Sequence, residues 1–258
     1  MKASSPMKVK YTGKAKLYSE YRPSYPNELI EYLYSIIGFS ETSSIADIGA
    51  GTGKFTKSLL DKGSFVYCIE PDEEMLEVAK ANLAVYPNCI FINCAAENTS
   101  LSDIAVDYVT VAQAYHWFDS SLFCVECKRI LKINGEVVLI WNYRDPNHEI
   151  VLKTEIVNRK YYTAYKGFSI EQKNRMLELY SEFYSANDYK SALFNSKLCY
   201  DEDSFIGRNL SSSYNTLNQE SIEMSQYVFE LKNIFHEYSK NGLLEIPNTT
   251  VCYIGHIK

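Results

Sequence analysis

Residues 44–53 read Ser44-Ile45-Ala46-Asp47-Ile48-Gly49-Ala50-Gly51-Thr52-Gly53. A short apolar run closes on an acid and then on three glycines in alternate positions, the pattern of a buried strand entering a tight turn. Glycines at such a turn adopt positive φ and let backbone amides approach a ligand. A helix beginning near Lys54 then opens with unpaired N–H donors. Two nucleotide-site patterns fail here. A P-loop needs Gly, four residues and then Gly-Lys-Ser/Thr, but Gly53-Lys54 is followed by Phe55 and the first glycine would fall on Ile48. The dinucleotide fingerprint G-x-G-x-x-G needs a glycine at position 54, which is Lys. What stands is D-x-G-x-G-x-G, more glycine than a bare strand–helix turn requires.

Outward from this turn the chain alternates. Leu29, Ile30, Leu33, Ile36 and Ile37 recur at helical spacing behind Pro26, and Gly38 suits a left-handed stop. Residues 54–61 predict a helix, 65–69 a strand, 75–83 a helix, 90–92 a strand and 106–112 a strand. Residues 123–131 predict a helix, and Gly135 leads into a fifth strand at 137–141. Strands alternating with helices of this length predict a parallel sheet with helices on both faces. After Trp141 the rhythm breaks. Residues 145–227 read as a long, polar, Tyr-rich helical stretch, followed by a helix at 227–238 and two strands, 242–246 and 249–256. The expected fold is α/β, a doubly wound, mostly parallel, seven-stranded Rossmann-like sheet with a helical cap insertion. The chain reads as one domain: an N-terminal lid (1–25), an α/β core (26–144 and 228–258) and the cap (145–227).

The 258 residues are 46% hydrophobic and 22% charged, enough for a large core and too apolar for wholesale disorder. Twenty-six basic against 32 acidic residues give −6, a sign that disfavours general nucleic-acid binding. No apolar run approaches the roughly 20 residues of a membrane helix, and Met1-Lys2-Ala3-Ser4-Ser5-Pro6 leads into no apolar leader core. The expectation is a cytoplasmic protein, with neither membrane nor nucleic acid as partner. Seven scattered cysteines fit small buried apolar residues in a reducing compartment. Cys124-Val125-Glu126-Cys127 lies in a predicted helix with no second Cys pair and no nearby His, so no metal is expected.

The glycine turn resembles motif I of the class I S-adenosylmethionine-dependent methyltransferases. That resemblance implies S-adenosyl-L-methionine as cofactor and S-adenosyl-L-homocysteine as product. It puts Asp47, Gly49, Gly51 and Thr52 at the methionyl end, largely through backbone groups. Glu70, at the end of the second strand about 20 residues on, is placed to accept both ribose hydroxyls, with Pro71 beside it. Cys94-Ala95-Ala96-Glu97 follows the third strand, where the family reads the adenine edge. Many members carry Asp where this chain has Ala95, which leaves Ala96 and Glu97 as the nearest matches.

Gln113-Ala114-Tyr115-His116-Trp117-Phe118 follows the fourth strand, so it should face the reacting methyl group. Its His-Trp-Phe run resembles the small-molecule branch of the family (methyltransferase type 11), which includes ubiquinone/menaquinone-biosynthesis-like and trans-aconitate methyltransferases. Residues 18–26 resemble that branch's lid, and residues 205–214 resemble a later segment of it. The implied acceptor is a small molecule. Gln113, Tyr18 and Arg22 join the cofactor set, while Trp117, Tyr21 and Arg144 form the acceptor set.

Several roles stay open at this level. His116 is either a general base, needed for a phenol or carbon acid, or a packing and orienting residue beside Trp117. Trp117, Tyr18 and Tyr21 either wall a sulfonium by cation–π attraction or pack the lid. Arg22 and Arg144 either pair with carboxylates or are solvated. Tyr161-Tyr162 and the tyrosines from 165 to 189 either pack helices or build a flat aromatic pocket. Two other functions remain in view: a protein that holds the cofactor without transfer, and a nicotinamide dehydrogenase, which the glycine spacing disfavours. No Asn-Pro-Pro-Tyr-type segment follows the fourth strand, which speaks against amino-group targets on protein or nucleic acid.

Overall fold

The computed structural model describes residues 13–163, 165, 167 and 183–258. The first part of the expected lid and part of the expected cap, Tyr11 and Tyr180 among them, lie outside the described residues. Helix α1 (Ala15–Tyr21) precedes α2 (Asn27–Tyr32), whose end widens into a π-helical turn (Leu33–Ile37) and stops at Gly38, φ +105°. The core then alternates β1 (Ser44–Ile48), α3 (Lys54–Leu60), β2 (Phe65–Ile69), α4 (Glu73–Asn82), β3 (Cys89–Ile92) and β4 (Val106–Ala112). A single 3₁₀ turn (Tyr115–Trp117) leads to α5 (Ser120–Ile130) and β5 (Leu131–Arg144). Beyond it come α6 (Glu149–Tyr161), β6 (Tyr184–Tyr200), α7 (Glu202–Leu210), α8 (Ile222–Tyr238) and β7 (Leu244–Ile257). Side chains set the helix starts: Asp72, Asp119, Asp201 and Ser221 each accept first-turn amides of α4, α5, α7 and α8.

The seven strands form one sheet in the order β3-β2-β1-β4-β5-β7-β6. Strands β1 to β5 pair in parallel, while β7 runs antiparallel to both β5 and β6. Side chains alternate between two cores. Ala46, Val109, Val137 and Leu139 pack with Phe123 and Ile130 of α5. Ile45, Val66, Val138 and Ile140 pack on the other face with Leu29, Leu33 and Leu59 of α2, its π turn and α3. A third apolar cluster joins α6, α7 and α8 to Leu244 and Ile246 at one end of β7.

The alternating core forms where the sequence placed it; two details beyond Trp141 differ. The stretch 145–227, expected to be helical throughout, contains the 17-residue strand β6. Its period-two signal is present: Ala192, Phe194, Ser196 and Leu198 are half-buried between exposed Ser191, Leu193, Asn195 and Lys197. Ser, Asn and Lys on an edge strand obscured it. The two expected terminal strands are one, β7, running through Pro247. Pairing to β5 begins at Asn248, opposite Arg144, so Pro247 has a neighbour only in β6 and breaks no ladder on the β5 side.

Candidate functional site

Winding runs from β1 through β2 to β3 in one direction and from β1 through β4 to β5 in the other. Strand order reverses between β1 and β4, where ligands of open α/β sheets bind outside the carboxyl ends. The turn after β1 and the segment after β4 both lie at this point. Gly49 has φ +70° and Gly51 φ +59°. The Gly49 and Ala50 amides donate to the Ile69 carbonyl at 2.8 and 3.0 Å, tying the turn to β2. A Cβ on Gly49 would lie 2.5 Å from the Ala114 Cβ, so the turn closes directly onto the β4 segment.

The two acids of this region hold the turn. Asp47 is 1% exposed, and its carboxylate accepts from the Thr56 hydroxyl at 2.6 Å and the Thr110 hydroxyl at 2.9 Å. It thus joins β1, β4 and α3. Burial pushes it up to about 6 against those hydrogen bonds. Glu70 accepts from the Gly51 amide at 2.8 Å and the Asp72 amide at 3.0 Å. Burial, with the neighbouring Asp72 and Asp47 charges adding to it, pushes Glu70 up to about 7.

A cavity of about 860 Å³ opens from the turn. Of the residues singled out from sequence, Asp47, Gly49, Gly51, Thr52, Gln113, Tyr18 and Arg22 line it on the turn side. His116, Trp117 and Arg144 line it as well. Glu70 stands just behind the Gly51 amide, and Pro71 follows it. Ala96 is buried in the core, and the Glu97 carboxylate accepts from the Asp119 amide at 2.8 Å. None of these four, nor Tyr21, is part of the cavity lining. Tyr21 instead lies flat on α7, where a Cβ at Gly207 would fall 2.3 Å from its ring. Gln113 takes φ +62°, a strained backbone for a residue with a side chain, held by its amide bond to Ile140 O at 2.9 Å.

Helix α1 is pinned over the turn. Lys14 donates to the backbone carbonyls of Ser212, at 3.1 Å, and Asn215. Arg22 donates to the Ser211 hydroxyl at 3.1 Å and the Ser212 hydroxyl at 3.3 Å, and its guanidinium sits 5.1 Å from the Tyr18 ring centre. Asn82 ties the same helix to α4 through Ser19 at 3.0 Å.

The far wall comes from β5, β7, β6 and α7. His116 is exposed, its ring 4.2 Å from that of Trp117 and 4.9 Å, edge-on, from that of Trp141. Arg144 lies opposite Asn248 in the β5–β7 register. Burial, then the nearby Arg208 charge, pushes Arg144 down to about 10. Arg208 of α7 was missed in the sequence. It is 6% exposed, and its Nε and Nη1 have no hydrogen-bond partner among the described residues. It lies in the second half of α7, where Phe205 through Asn209 are all buried, a placement that no spacing in the sequence marked. Tyr165 and Tyr214 line this part of the cavity, rings 4.7 Å apart. Tyr161 and Tyr162 pack on Tyr227 in the third apolar cluster. All seven cysteines are free thiols. No group of three His, Cys, Asp or Glu side chains among the described residues is placed to hold a metal ion. No helix among them is long and apolar enough to cross a membrane.

Comparison with known proteins agrees with this arrangement. The methyltransferase domain model matches residues 46–139. An uncharacterised methyltransferase of Mycobacterium tuberculosis is 37% identical over 139 residues, 54% of either chain, so the match spans about half the length of that relative. An uncharacterised methyltransferase of Schizosaccharomyces pombe is 30% identical over 210 residues, covering 80% of this chain and 78% of its own. A solved structure from Anaeromyxobacter dehalogenans, provisionally named a type II methyltransferase, has the same fold at TM-score 0.65 and 18% identity, over 92% of this chain and 98% of its own. The chain belongs to the class I S-adenosylmethionine-dependent methyltransferases.

Proposed function

We propose that this protein moves the methyl group of S-adenosylmethionine to a small-molecule acceptor by in-line displacement. The observation that carries the reading is the continuity of one cavity from the glycine turn to Trp117, Trp141 and Arg144. Its volume of about 860 Å³ lies near the top of the usual range for small-ligand pockets. It suits a cofactor and a second small molecule together rather than a polymer. A protein that only held the cofactor would need no space beyond the turn.

The residues present fit the cofactor. The Thr52 hydroxyl is buried in the lining without a hydrogen-bond partner among the described residues. A Cβ on Gly51 would meet nothing closer than the Tyr18 ring at 3.9 Å, so the turn is open on the side facing the cavity. In this reading Gly49, Gly51, Thr52 and Gln113 would hold the methionyl end, with Tyr18 and Arg22 closing over it. Asp47 acts through the turn it braces. Glu70 would take the ribose hydroxyls on the lone pairs its amide bonds leave free, with Pro71 beside it and Ala96 and Glu97 toward the adenine. When bound, the cofactor supplies a methyl group activated on a sulfonium.

The chain's own contribution is alignment and exclusion of water. Trp117, Trp141, Tyr18 and Arg22 would wall the space between the two ligands, with Arg144 lining it from β5. His116, packed edge-on against Trp141, orients the wall and is the candidate base for an acceptor that must lose a proton. We assign the lid role to the stretch ending at 25 and the cover over the acceptor to 145–227, β6 included. The protein is read as acting in the cytoplasm on a diffusible acceptor. Calorimetry with S-adenosylhomocysteine, followed by methyl-labelled cofactor against a panel of small acceptors, tests the proposal. Binding of NAD with no binding of S-adenosylhomocysteine ends it.

A further inference from the structure

Arg208 is a charge in an unusual place. Long cationic side chains are almost never fully buried without a partner, yet this one is 94% buried and no acid among the described residues pairs with it. It reaches the same cavity as Arg144, and the two like charges are close enough to disfavour each other. Four cations, Arg22, Lys54, Arg144 and Arg208, contribute to the described lining, against a single acid, Asp47. That acid is already bonded to Thr56 and Thr110. The excess sits in a chain whose net charge is −6, so it is local to the cavity rather than a property of the surface. On the cofactor side, Arg22 is held by Ser211 and Ser212. Arg208 and Arg144 line the same cavity, and Arg208 keeps its Nε and Nη1 without a hydrogen-bond partner among the described residues.

We propose that the methyl acceptor is a small organic acid whose carboxylate is anchored by Arg208, with Arg144 beside it. The planar guanidinium fork matches a carboxylate, and bringing in the anion neutralises the buried charge and relieves the repulsion between the arginines. This rests on the methyltransferase reading for the word acceptor, but the anion site itself does not. A buried cation kept for binding rather than for packing has a signature: replacing it with an apolar residue of similar size removes the ligand without weakening the fold.

Both tryptophans of the chain, Trp117 and Trp141, line this cavity, so intrinsic fluorescence reports its occupancy without background. The full-length protein is titrated with succinate, tricarballylate, succinamide and inorganic phosphate, each with and without S-adenosylhomocysteine. The same titrations are run on Arg208→Met and Arg208→Lys. The expected result is that the acids bind at least tenfold tighter than the diamide. Arg208→Met then loses at least tenfold for the acids, keeps S-adenosylhomocysteine affinity and does not melt earlier. Arg208→Lys falls between. The proposal is overturned if succinamide binds as well as succinate, if phosphate binds tighter than both acids, or if Arg208→Met binds the acids as the wild type does. Should Arg208→Met not fold, unchanged acid affinity in Arg208→Lys overturns it. Acid binding without S-adenosylhomocysteine binding sinks the methyltransferase reading and leaves the anion site standing; the reverse pattern does the opposite.

Discussion

Gly49 and Gly51 share positive φ but differ in what surrounds them, and the difference separates folding from binding. At Gly49 an added methyl meets the Ala114 Cβ at 2.5 Å, so Gly49→Ala combines left-handed backbone strain with overpacking. The sum is roughly 2–5 kcal/mol lost from folding. At Gly51 only the Tyr18 ring is near, at 3.9 Å, so Gly51→Ala carries the backbone cost alone, about 1–2 kcal/mol. Its methyl, however, points into the space assigned to the cofactor. Urea unfolding should show Gly49→Ala much the weaker fold, while calorimetry should show Gly51→Ala folded and impaired in S-adenosylhomocysteine binding. Equal stability in the two variants would contradict this geometry. The turn was legible because an acid and three alternate glycines are a spacing that secondary structure alone does not require. Arg208 was not, because an arginine in an amphipathic helix ordinarily marks the solvent face. It is buried because α7 is enclosed on every side from Phe205 through Asn209, so that no face of the helix is left to solvent at this level. Tyr21 illustrates the converse: an aromatic in the right segment that packs on a neighbouring helix instead of the cavity.

At the scale of elements, the position of α1 depends on a missing side chain. The Tyr21 ring rests where a Cβ on Gly207 would be, 2.3 Å away. Gly207→Ala should favour α7 itself by about 1 kcal/mol of helix propensity, yet it must push α1 away. The expected outcome is loss of hydrogen-exchange protection in residues 15–22 with α7 unchanged. Because Tyr18 and Arg22 ride on α1, S-adenosylhomocysteine affinity should fall about tenfold, the equivalent of about 1.4 kcal/mol. Retained protection in α1 would show that the helix does not depend on this contact. The alternating elements of the core were readable because each buries one clear apolar stripe. Strand β6 was not, since its inward face mixes Ala192 and Ser196 with Phe194 and Leu198, and its other face is exposed. Strand β7 was split by a proline that matters only where a neighbouring strand needs its N–H, and β5 ends one residue short of that place.

The whole molecule binds the turn's two acids to its pH response. Both Asp47 and Glu70 are pushed up by burial, to about 6 and about 7. An acid that holds its proton more tightly folded than unfolded contributes stability that is fully present below its unfolded value and is lost as pH rises through its folded value. For Glu70 that window runs from the ordinary 4.5 to about 7, and the loss is on the order of 3 kcal/mol at about 1.4 per pH unit. Acids pulled the other way, such as Asp201 by Ser204 and Glu230 by Lys160, act at lower pH, where their contribution is lost on acidification. They are surface groups of small effect. Ribose hydroxyls are better received by an ionised carboxylate, so cofactor affinity should move oppositely to stability across the same window. Urea unfolding of the wild type at pH 5 and pH 8 should therefore show a fall in stability that Glu70→Gln reduces to the smaller share carried by Asp47. S-adenosylhomocysteine affinity should rise over that range in the wild type and stay flat in Glu70→Gln. Parallel profiles for the two proteins would mean that Glu70 neither carries the buried proton nor meets the sugar, and the clasp behind Gly51 would then be structural alone.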